Sequence, residues 1–265
     1  MSKCIPKVIH YCWFGGKPLP EDVKRYIESW KKYCPDYEIV EWNENNFDIN
    51  SNAYVKEAYE AKKWAFVTDY VRLYALYNNG GIYMDTDVEL VAPIDCFLEN
   101  HAFSGFESNN NALTGIMASE KKFELFGEFM EYYNNRHFAK EDGSFDMTTN
   151  VKIATDICKK YGLIENNKLQ NIKGFVLYPS EVFCPKNMST GVIHKTKNTV
   201  AIHHFSGSWL NNGDIKLRRI RRKICKKYGE AVGNFLYKTV YVPYRFYTHV
   251  NSLGIKHTLM GLIKK

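Results

Sequence analysis

The run from Trp64 to Leu90, WAFVTDYVRLYALYNNGGIYMDTDVEL, constrains the fold of this chain more than any other segment. Its first part has apolar residues at helical spacing and ends at Asn78-Asn79-Gly80-Gly81, a strong helix stop. A short apolar strand, Ile82-Tyr83-Met84, follows at once and runs into Asp85-Thr86-Asp87. A helix that leads through a glycine pair into a buried strand is typical of an α/β layer fold.

The rest of the chain alternates in the same way. Strand patterns lie over Val8–Phe14 (closed by Gly15-Gly16), Tyr37–Trp42, Ala102–Phe106, Leu113–Ala118 and Thr199–His204. Helix patterns lie over Pro20–Tyr33 and 53–79, after Ser119 as a helix cap, and over most of the chain after Leu210. These segments predict an α/β fold in which helices flank a sheet.

Charge divides the chain into two parts. From Leu210 to Lys265 there are 13 Lys and Arg against two acids, a net charge of +11 in a chain whose total is +7. We therefore predict a catalytic domain over 1–209 and a basic helical extension over 210–265. Because the excess charge is local, it does not predict a protein that binds nucleic acid over its whole surface.

Composition excludes several protein classes. With 265 residues, 45% hydrophobic and 15% aromatic, the chain has the content of a folded domain rather than of a disordered chain. It contains no apolar run long enough to span a bilayer, and its first apolar stretch is interrupted by Pro6, Lys7 and His10, unlike a signal peptide. Its seven cysteines form no C-x-x-C pair, so we expect reduced thiols and a cytoplasmic protein.

Two pairs of residues in the Trp64–Leu90 run are candidates for a catalytic or metal-binding role. Asp69 and Arg72 are three residues apart on a helix and project from one face. Asp85 and Asp87 follow a strand, and on an extended chain their spacing points both carboxylates the same way. Two carboxylates at the carboxyl end of a strand favour Mg²⁺ or Mn²⁺, with the remaining ligands supplied by water and substrate phosphates.

Four segments together resemble a known family. VIHYCWFGG, TDYVRLYAL, GGIYMDTDVEL and AIHHFSGSW occur in the order found in sugar-transferring enzymes with a DXD motif. The chain is most similar to the group that includes bacterial capsule transferases and yeast Och1-type mannosyltransferases, with a more distant likeness to clostridial glucosylating toxins. The resemblance covers about residues 5 to 209. It implies a GT-A fold, a divalent metal on the diphosphate of the donor, and retention of configuration at the anomeric carbon.

The resemblance also implies roles for individual residues. Trp13 matches an aromatic residue that stacks on the nucleobase, and Asp69 and Arg72 match a pair that grips the donor sugar. Tyr83 and Asp85 match contacts to the nucleotide and sugar, and Asp85 and Asp87 match the metal site. Ser208 and Trp209 match a contact to phosphate and sugar. Either His203 or His204 also meets the metal or diphosphate: counting back from Trp209 favours His203, and counting back from Gly207 favours His204.

The expected reaction moves a hexose from a nucleotide sugar to a hydroxyl of a glycan. A metal on the leaving diphosphate lowers the barrier without a protein nucleophile, so we expect same-face attack with the phosphate as proton acceptor. By likeness we expect Mn²⁺ or Mg²⁺, a UDP-linked Gal or Glc donor, and an acceptor in bacterial surface polysaccharide that is lipid-linked.

Other functions remain open at this stage. Aspartates after a strand are common turn residues, and Asp69 with Arg72 could be a surface ion pair worth about 0.2–0.5 kcal/mol. A D-x-D phosphatase has Thr or Val at the fifth position, where this chain has Glu89. Paired glycosidase carboxylates flank a bond, which two aspartates on one strand face would not do. A nucleic-acid binder using the RRIRRK segment would leave the two aspartates unexplained.

The basic extension has two interpretations of its own. In Lys216–Tyr228 the apolar Leu217, Ile220, Ile224 and Tyr228 recur at helical spacing among cations. This pattern fits a helix on an anionic membrane surface, with each cation adding about 1 kcal/mol, and it fits equally a helix docked on the domain. The first interpretation would make the protein peripheral on the inner face of the cell membrane.

Overall fold

The computed structural model describes residues 4–108, 112–207, 212–241 and 243, and it forms a mixed α/β fold. The strands are β1 (Val8–Cys12), β2 (Glu38–Trp42), β3 (Gly81–Met84), β4 (Val88–Leu90), β5 (Ala102–Gly105), β6 (Ile116–Ser119), β7 (Gln170–Ile172), β8 (Phe175–Tyr178) and β9 (Ala201–His203). The helices are α1 (Glu21–Tyr33), α2 (Ala53–Glu60), α3 (Trp64–Asn79), α4 (Glu124–Glu131), α5 (Asn150–Lys160), α6 (Ser180–Phe183), α7 (Asn212–Tyr228) and α8 (Glu230–Leu236). The predicted α/β class is confirmed.

Seven strands form one mixed sheet in the order β2-β1-β3-β6-β5-β8-β7. β1 is parallel to both β2 and β3, and β5 is parallel to β8, whereas the remaining neighbours are antiparallel. β4 and β9 form a separate antiparallel pair. Since β1 and β3 are parallel neighbours, their carboxyl ends reach the same edge of the sheet, where Trp13 and Asp85 continue the chain.

Apolar side chains cover both faces of the sheet. Along β3, Ile82 and Met84 join a cluster that includes residues of α1 and α6, while Tyr83 joins a cluster built from α2 to α5. Successive side chains of a strand point to opposite faces, so a strand that is apolar at every position is buried on both sides. This explains why β3 reads as a continuous apolar run.

Helix α1 anchors β4, the strand that follows Asp87. Trp30 is fully buried, and its Nε1–H donates to the carbonyl oxygen of Val88 at 2.8 Å. The preceding residue, Ser29, accepts the Leu90 N–H on its Oγ at 3.0 Å. Both ends of β4 are therefore fixed by one turn of α1, and this fixes the segment that precedes β4.

The structure corrects two helix predictions. The helix predicted over 53–79 is two helices, because the connecting residue Lys62 takes a left-handed backbone conformation with φ of 55°. Ser119 does not cap a helix: it is the buried last residue of β6, and α4 begins at Glu124 after Phe123. The Glu120 N–H donates to the His101 carbonyl at 2.7 Å. Strand-like hydrogen bonding therefore continues one residue beyond Ser119, the residue predicted to be the helix cap.

The chain divides into two compact units. The first contains Met1–Lys186 with His194–Trp209, and the second contains Asn187–Ile193 with Leu210–Lys265. The second unit thus takes in 187–193, which we had assigned to the catalytic domain. The functional boundary expected between 209 and 210 stays a prediction.

The second unit contains α7 and α8, joined at Gly229. Cys225 is buried directly against Gly233, where an added Cβ would overlap its sulfur. The Arg221 guanidinium lies 4.0 Å from the ring centroid of Tyr237. These contacts pack one side of α7 within the unit. Across the part of the chain that the structure describes, none of the helices combines the length and apolar character needed to cross a bilayer.

Trp30→Phe tests the role of α1 in holding β4. The change removes the hydrogen bond to Val88 and part of a fully buried ring, so we expect a loss of about 2 kcal/mol or more in the free energy of unfolding. Urea denaturation measures it. Glu28→Gln, on the exposed side of the same helix, should change stability by less than about 0.5 kcal/mol. Equal effects of the two changes would show that α1 does not anchor β4 through Trp30.

Candidate active site

Asp85, Thr86 and Asp87 form the turn between β3 and β4. The Val88 N–H donates to the Asp85 carbonyl at 2.9 Å, and the Asp85 N–H donates to the Gly115 carbonyl at 2.7 Å. The sequence argument that an extended chain aligns the two carboxylates is therefore wrong about the backbone. The carboxylates converge for a different reason, which is a shared neighbour on β9.

That neighbour is His203. The pairing of β4 with β9 sets Val88 opposite His203, so the imidazole stands beside the turn. Its Nε2 lies 3.2 Å from Asp87 Oδ1 and 4.0 Å from Asp85 Oδ2. The three donor atoms, one from each residue, all lie within 4.8 Å of one another. Two carboxylates and one imidazole that converge in this way fit a hard divalent cation such as Mn²⁺ or Mg²⁺.

Asp87 and His203 carry opposite charges in a buried setting. Burial alone would raise the pKa of Asp87, but the His203 charge and hydrogen bonds from His203 and the Ser206 N–H hold it well below its usual range. The Ser206 N–H lies 2.7 Å from Asp87 Oδ2. Burial would lower the pKa of His203, but Asp87 and then Asp85 raise it well above its usual value. A proton on His203 thus offsets the negative charge of the two aspartates. A bound cation would offset the same charge.

Arg72 joins Asp69 to Asp85. Its Nη2 lies 3.2 Å from Asp69 Oδ1 and 3.3 Å from Asp85 Oδ1. Its guanidinium carbon lies 4.6 Å from the centroid of the Tyr83 ring, and the Tyr83 hydroxyl donates to Asp85 Oδ1 at 3.0 Å. Asp69 and Arg72 are each only 7% exposed, so this is a buried pair rather than a surface ion pair. Burial lowers the pKa of Arg72, but Asp85, Tyr83 and Asp69 raise it more, so the guanidinium stays charged.

Asp69 also contacts the first residue of α5. The Asn150 N–H donates to Asp69 Oδ2 at 3.0 Å. Burial raises the pKa of Asp69 to about 6 against the opposing effects of Arg72 and this hydrogen bond. Asn150 is 1% exposed, and its Oδ1 has no hydrogen-bond partner among the described residues. A buried acceptor of this kind is satisfied by water or by a ligand hydroxyl.

Trp13 lies in the loop that follows β1. Its Nε1–H donates to the Lys17 carbonyl at 2.5 Å, and the side chain is half-buried. Glu44 fixes the loop by accepting the Gly15 N–H at 2.7 Å and the Tyr59 hydroxyl at 3.0 Å. The indole therefore sits in a restrained loop at the sheet edge where Asp85 also lies.

The structure separates the two histidines. His203 joins the aspartates, whereas His204 Nε2 bonds to Glu89 Oε2 at 2.7 Å and its ring stacks on Tyr26 at 4.7 Å. The inclusion of His204 among the metal ligands is therefore not supported by its position, because its ring points to the other side of the strand. Ser208 and Trp209 lie outside the described residues, and their predicted roles stay predictions.

Two residues near the site were missed by the sequence analysis. The Glu107 carboxylate lies 3.9 Å from His203 Nδ1, on the opposite ring nitrogen from Asp87. At Gly115 an added Cβ would lie 2.7 Å from Asp85 Oδ2 and 3.1 Å from His203 Cε1, so only glycine leaves room for the cluster. Neither lies in a recognisable motif, and only the pairing of distant strands brings them to the site.

Sequence comparison gives the function class. The family described as the glycosyltransferase sugar-binding region containing the DXD motif matches residues 20–104, which include Asp69, Arg72, Asp85 and Asp87. Over this segment the chain is similar to DXD-motif glycosyltransferases, and the match supports a glycosyltransferase enzyme. Enzymes of this class generally use a divalent metal and a nucleotide sugar, and the Asp85–Asp87–His203 cluster offers a place for the metal.

Curated relatives agree with this class. The chain is 24% identical over 201 residues to the uncharacterized glycosyltransferase L373 of Acanthamoeba polyphaga mimivirus, over 69% of this chain and 76% of that protein. It is 29% identical over 124 residues to inositol phosphoceramide mannosyltransferase 3 of Schizosaccharomyces pombe, over 45% of this chain and 35% of that protein. The chain thus matches only about a third of the length of the second relative.

Solved structures show only distant likeness. The PaToxG glycosyltransferase matches 59% of this chain and 69% of its own at 19% identity and a TM-score of 0.44. The galactosyltransferase LgtC matches 83% of this chain and 95% of its own at 13% identity and a TM-score of 0.43. With TM-scores below 0.5, these likenesses carry no argument about fold or function.

Asp69→Asn tests the electrostatics of the buried pair. Between the ordinary carboxyl pKa near 4 and the raised value of about 6, the folded protein keeps a proton that the unfolded chain loses. Stability from this group is therefore present at low pH and is lost as pH rises. We expect the unfolding free energy of the unsubstituted protein, relative to Asp69→Asn, to fall by about 3 kcal/mol from pH 3.5 to pH 7.

Urea denaturation across this pH range measures the difference. Asp156→Asn is the matched control, because Asp156 is exposed on α5 and pairs only with Lys152 at the surface. Its difference from the unsubstituted protein should stay within about 0.5 kcal/mol at every pH. A flat difference for Asp69→Asn as well would show that Asp69 ionises without cost in the fold.

Proposed function

We propose that this glycosyltransferase is metal-dependent and retaining, and that it moves a hexose from a UDP-sugar to a hydroxyl of a glycan in bacterial surface polysaccharide synthesis. One observation carries the proposal: the Asp85–Asp87–His203 cluster shares Asp85 with the buried Arg72–Asp69 pair. A place for a cation and a place for a polar substrate group are thus joined through a single carboxylate.

The residues present fit the implied metal. Asp85 and Asp87 would supply oxygen ligands and His203 would supply Nε2, while a diphosphate and water would complete the shell. A divalent cation held there supplies Lewis acidity to the leaving diphosphate, and Mn²⁺ suits a donor set of mixed oxygen and nitrogen.

The side chains around the Asp85–Asp87–His203 cluster are preorganised for substrate binding. Tyr83 and Arg72 both contact Asp85 Oδ1, so that carboxylate keeps one orientation. Arg72 is buried and permanently charged, and it would stabilise negative charge on the donor near Asp85. Asp69 would accept hydrogen bonds from sugar hydroxyls. The neighbouring Asn150 Oδ1, which has no hydrogen-bond partner within the described part of the chain, supports a sugar site there.

Trp13 supports a nucleoside site. A half-buried indole in a loop fixed by Glu44 offers a face on which a base can stack. Stacking tolerates any base, so the choice of UDP rests on the resemblance rather than on this residue. Ser208 and Trp209 would add contacts to phosphate and sugar.

Retention follows from attack on the face that the leaving group occupies. The diphosphate would accept the proton of the acceptor hydroxyl, and no side chain would bond to the sugar. The Glu107 carboxylate lies near the cluster and has no part in this step. Its position on the Nδ1 side of His203 places the ring between it and Asp87, which favours a supporting role. A glycosyl adduct on Glu107 in mass spectrometry would overturn this part.

The second unit supports a membrane-surface location. Lys216, Arg219, Lys223 and Lys226 recur at helical spacing along α7 and are all exposed, with the 46%-exposed Ile220 among them. A stripe of cations with apolar residues fits an anionic lipid headgroup surface. We therefore propose a cytoplasmic protein, peripheral on the inner face of the membrane, that acts on a lipid-linked acceptor.

A donor screen tests the proposed chemistry. With Mn²⁺ and no acceptor, we expect slow hydrolysis of one nucleotide sugar among UDP-Gal, UDP-Glc, UDP-GalNAc, UDP-GlcNAc and GDP-Man. Asp87→Asn should lower kcat/KM about 100-fold or more, because it removes charge that would hold the metal on the leaving group. Chromatography of the released nucleotide measures the rate.

Glu89→Gln is the matched control, because Glu89 is two residues away in the chain but bonds to His204 outside the cluster. It should keep kcat/KM within about threefold. Absence of turnover for all five donors with Mn²⁺ contradicts the proposal. Release of inorganic phosphate from a monoester would favour the phosphatase alternative instead.

Vesicle binding tests the location. The double variant Arg219→Gln, Lys223→Gln loses two exposed cations, each worth about 1 kcal/mol at an anionic surface, so co-sedimentation with phosphatidylserine vesicles should weaken about 30-fold. The control Lys121→Gln, Lys168→Gln removes two exposed lysines of the first unit and should bind as the unsubstituted protein does. Equal binding by the two double variants would contradict a lipid-binding α7.

A further inference from the structure

Glu107 is a partly buried carboxylate with a fixed position beside the candidate metal site. It follows β5, and the residue before it, Phe106, is fully buried with its N–H bonded to the Tyr178 carbonyl at 2.8 Å. This anchor holds the backbone at the point where the Glu107 side chain leaves it. Only 20% of that side chain is exposed, so its charge is little screened by solvent.

The imidazole of His203 lies between carboxylates. On one side Nε2 is 3.2 Å from Asp87 Oδ1, and on the other Nδ1 is 3.9 Å from Glu107 Oε1. The Thr114 hydroxyl oxygen lies 3.5 Å from Nδ1, on the Glu107 side. The Phe205 ring packs on the imidazole with centroids 4.2 Å apart. Each ring nitrogen therefore faces its own oxygen atoms, and the ring plane is held by an aromatic neighbour.

We propose that Glu107 is a positioning residue that retains the proton on Nδ1 of His203 and so directs the Nε2 lone pair at a divalent cation. The inference rests on the metal dependence proposed above and concerns how this chain prepares the site. An imidazole can bind a cation through Nε2 only if its one remaining proton is on Nδ1. Glu107 is the carboxylate on that side.

The arrangement gives a role to a carboxylate that lies outside the Asp85–Asp87–His203 cluster. A metal-binding histidine commonly donates its other N–H to a carboxylate, which fixes the tautomer and makes the binding nitrogen more basic. Removing such a partner typically weakens metal binding about 10- to 100-fold. At 3.9 Å the attraction to His203 is electrostatic rather than a hydrogen bond, so we expect an effect near the lower end of that range.

A mutant cycle on Mn²⁺ binding tests the proposal. Free Mn²⁺ is measured by electron paramagnetic resonance into the millimolar range, with full-length protein and no nucleotide. We expect Glu107→Ala to raise the Kd about tenfold and Glu107→Gln to raise it less, because the neutral amide dipole still attracts the Nδ1 proton, though more weakly than the carboxylate charge does. In a His203→Ala background, Glu107→Ala should cause no further loss, since its effect acts through the imidazole.

A second readout reports the tautomer directly. In long-range nitrogen–proton correlation spectra of the metal-free protein, at a pH high enough to leave the imidazole neutral, the His203 proton should be on Nδ1 in the unsubstituted protein and shared between both nitrogens in Glu107→Gln. Glu141→Gln, an exposed carboxylate in the same unit, should change neither readout. Thermal unfolding of each metal-free variant shows whether it is folded. If Glu107→Ala does not fold, the nearly isosteric Glu107→Gln still tests the proposal.

Three results would overturn the proposal. An unchanged Kd in both Glu107 variants removes any role in metal binding. An equal loss with and without His203 means that Glu107 acts on the cation directly. An Nδ1 proton retained in Glu107→Gln means that another group fixes the tautomer. If the unsubstituted protein binds no Mn²⁺ at all, the metal dependence of the proposed function fails first, which is a different outcome.

Discussion

The structure of the site depends on one buried interaction, the contact of Arg72 with both Asp69 and Asp85. Two carboxylates placed close together in the interior repel each other and lose hydration. The guanidinium offsets both effects, because it stays charged when buried and has enough donors to serve two acceptors. Its position is fixed by α3, so the helix that leads into β3 also carries the charge that stabilises the turn after β3.

His203 has the matching role on the other side of the turn. It compensates Asp87 as Arg72 compensates Asp85, but an imidazole can lose its proton, whereas the guanidinium of Arg72 keeps its charge. Arg72 and His203 therefore have different roles. The permanent charge of Arg72 maintains the geometry, and the proton of His203 would be given up when the proposed metal binds. Gly115 allows this division, since any larger residue would push Asp85 and His203 apart.

Sequence reasoning found the parts of the site that lie in continuous segments. The structure brings together Asp69, Arg72, Tyr83, Asp85 and Asp87, which local patterns and the family resemblance had indicated within one continuous segment, and their roles stay predictions. Glu107 and Gly115 were missed, because strand pairing rather than sequence spacing brings them to the site. The choice between His203 and His204 needed the β4–β9 register. Helix α5 was also missed: its buried face contains small residues such as Ala154, and its cap is Thr149.

Crystals of the protein soaked with Mn²⁺ and a nucleoside diphosphate test the central claim most directly. Anomalous diffraction locates the ion without reference to activity. The account predicts one strong peak bounded by Asp85, Asp87 and His203, in contact with the diphosphate. A peak elsewhere, or no peak beside bound diphosphate, would contradict it.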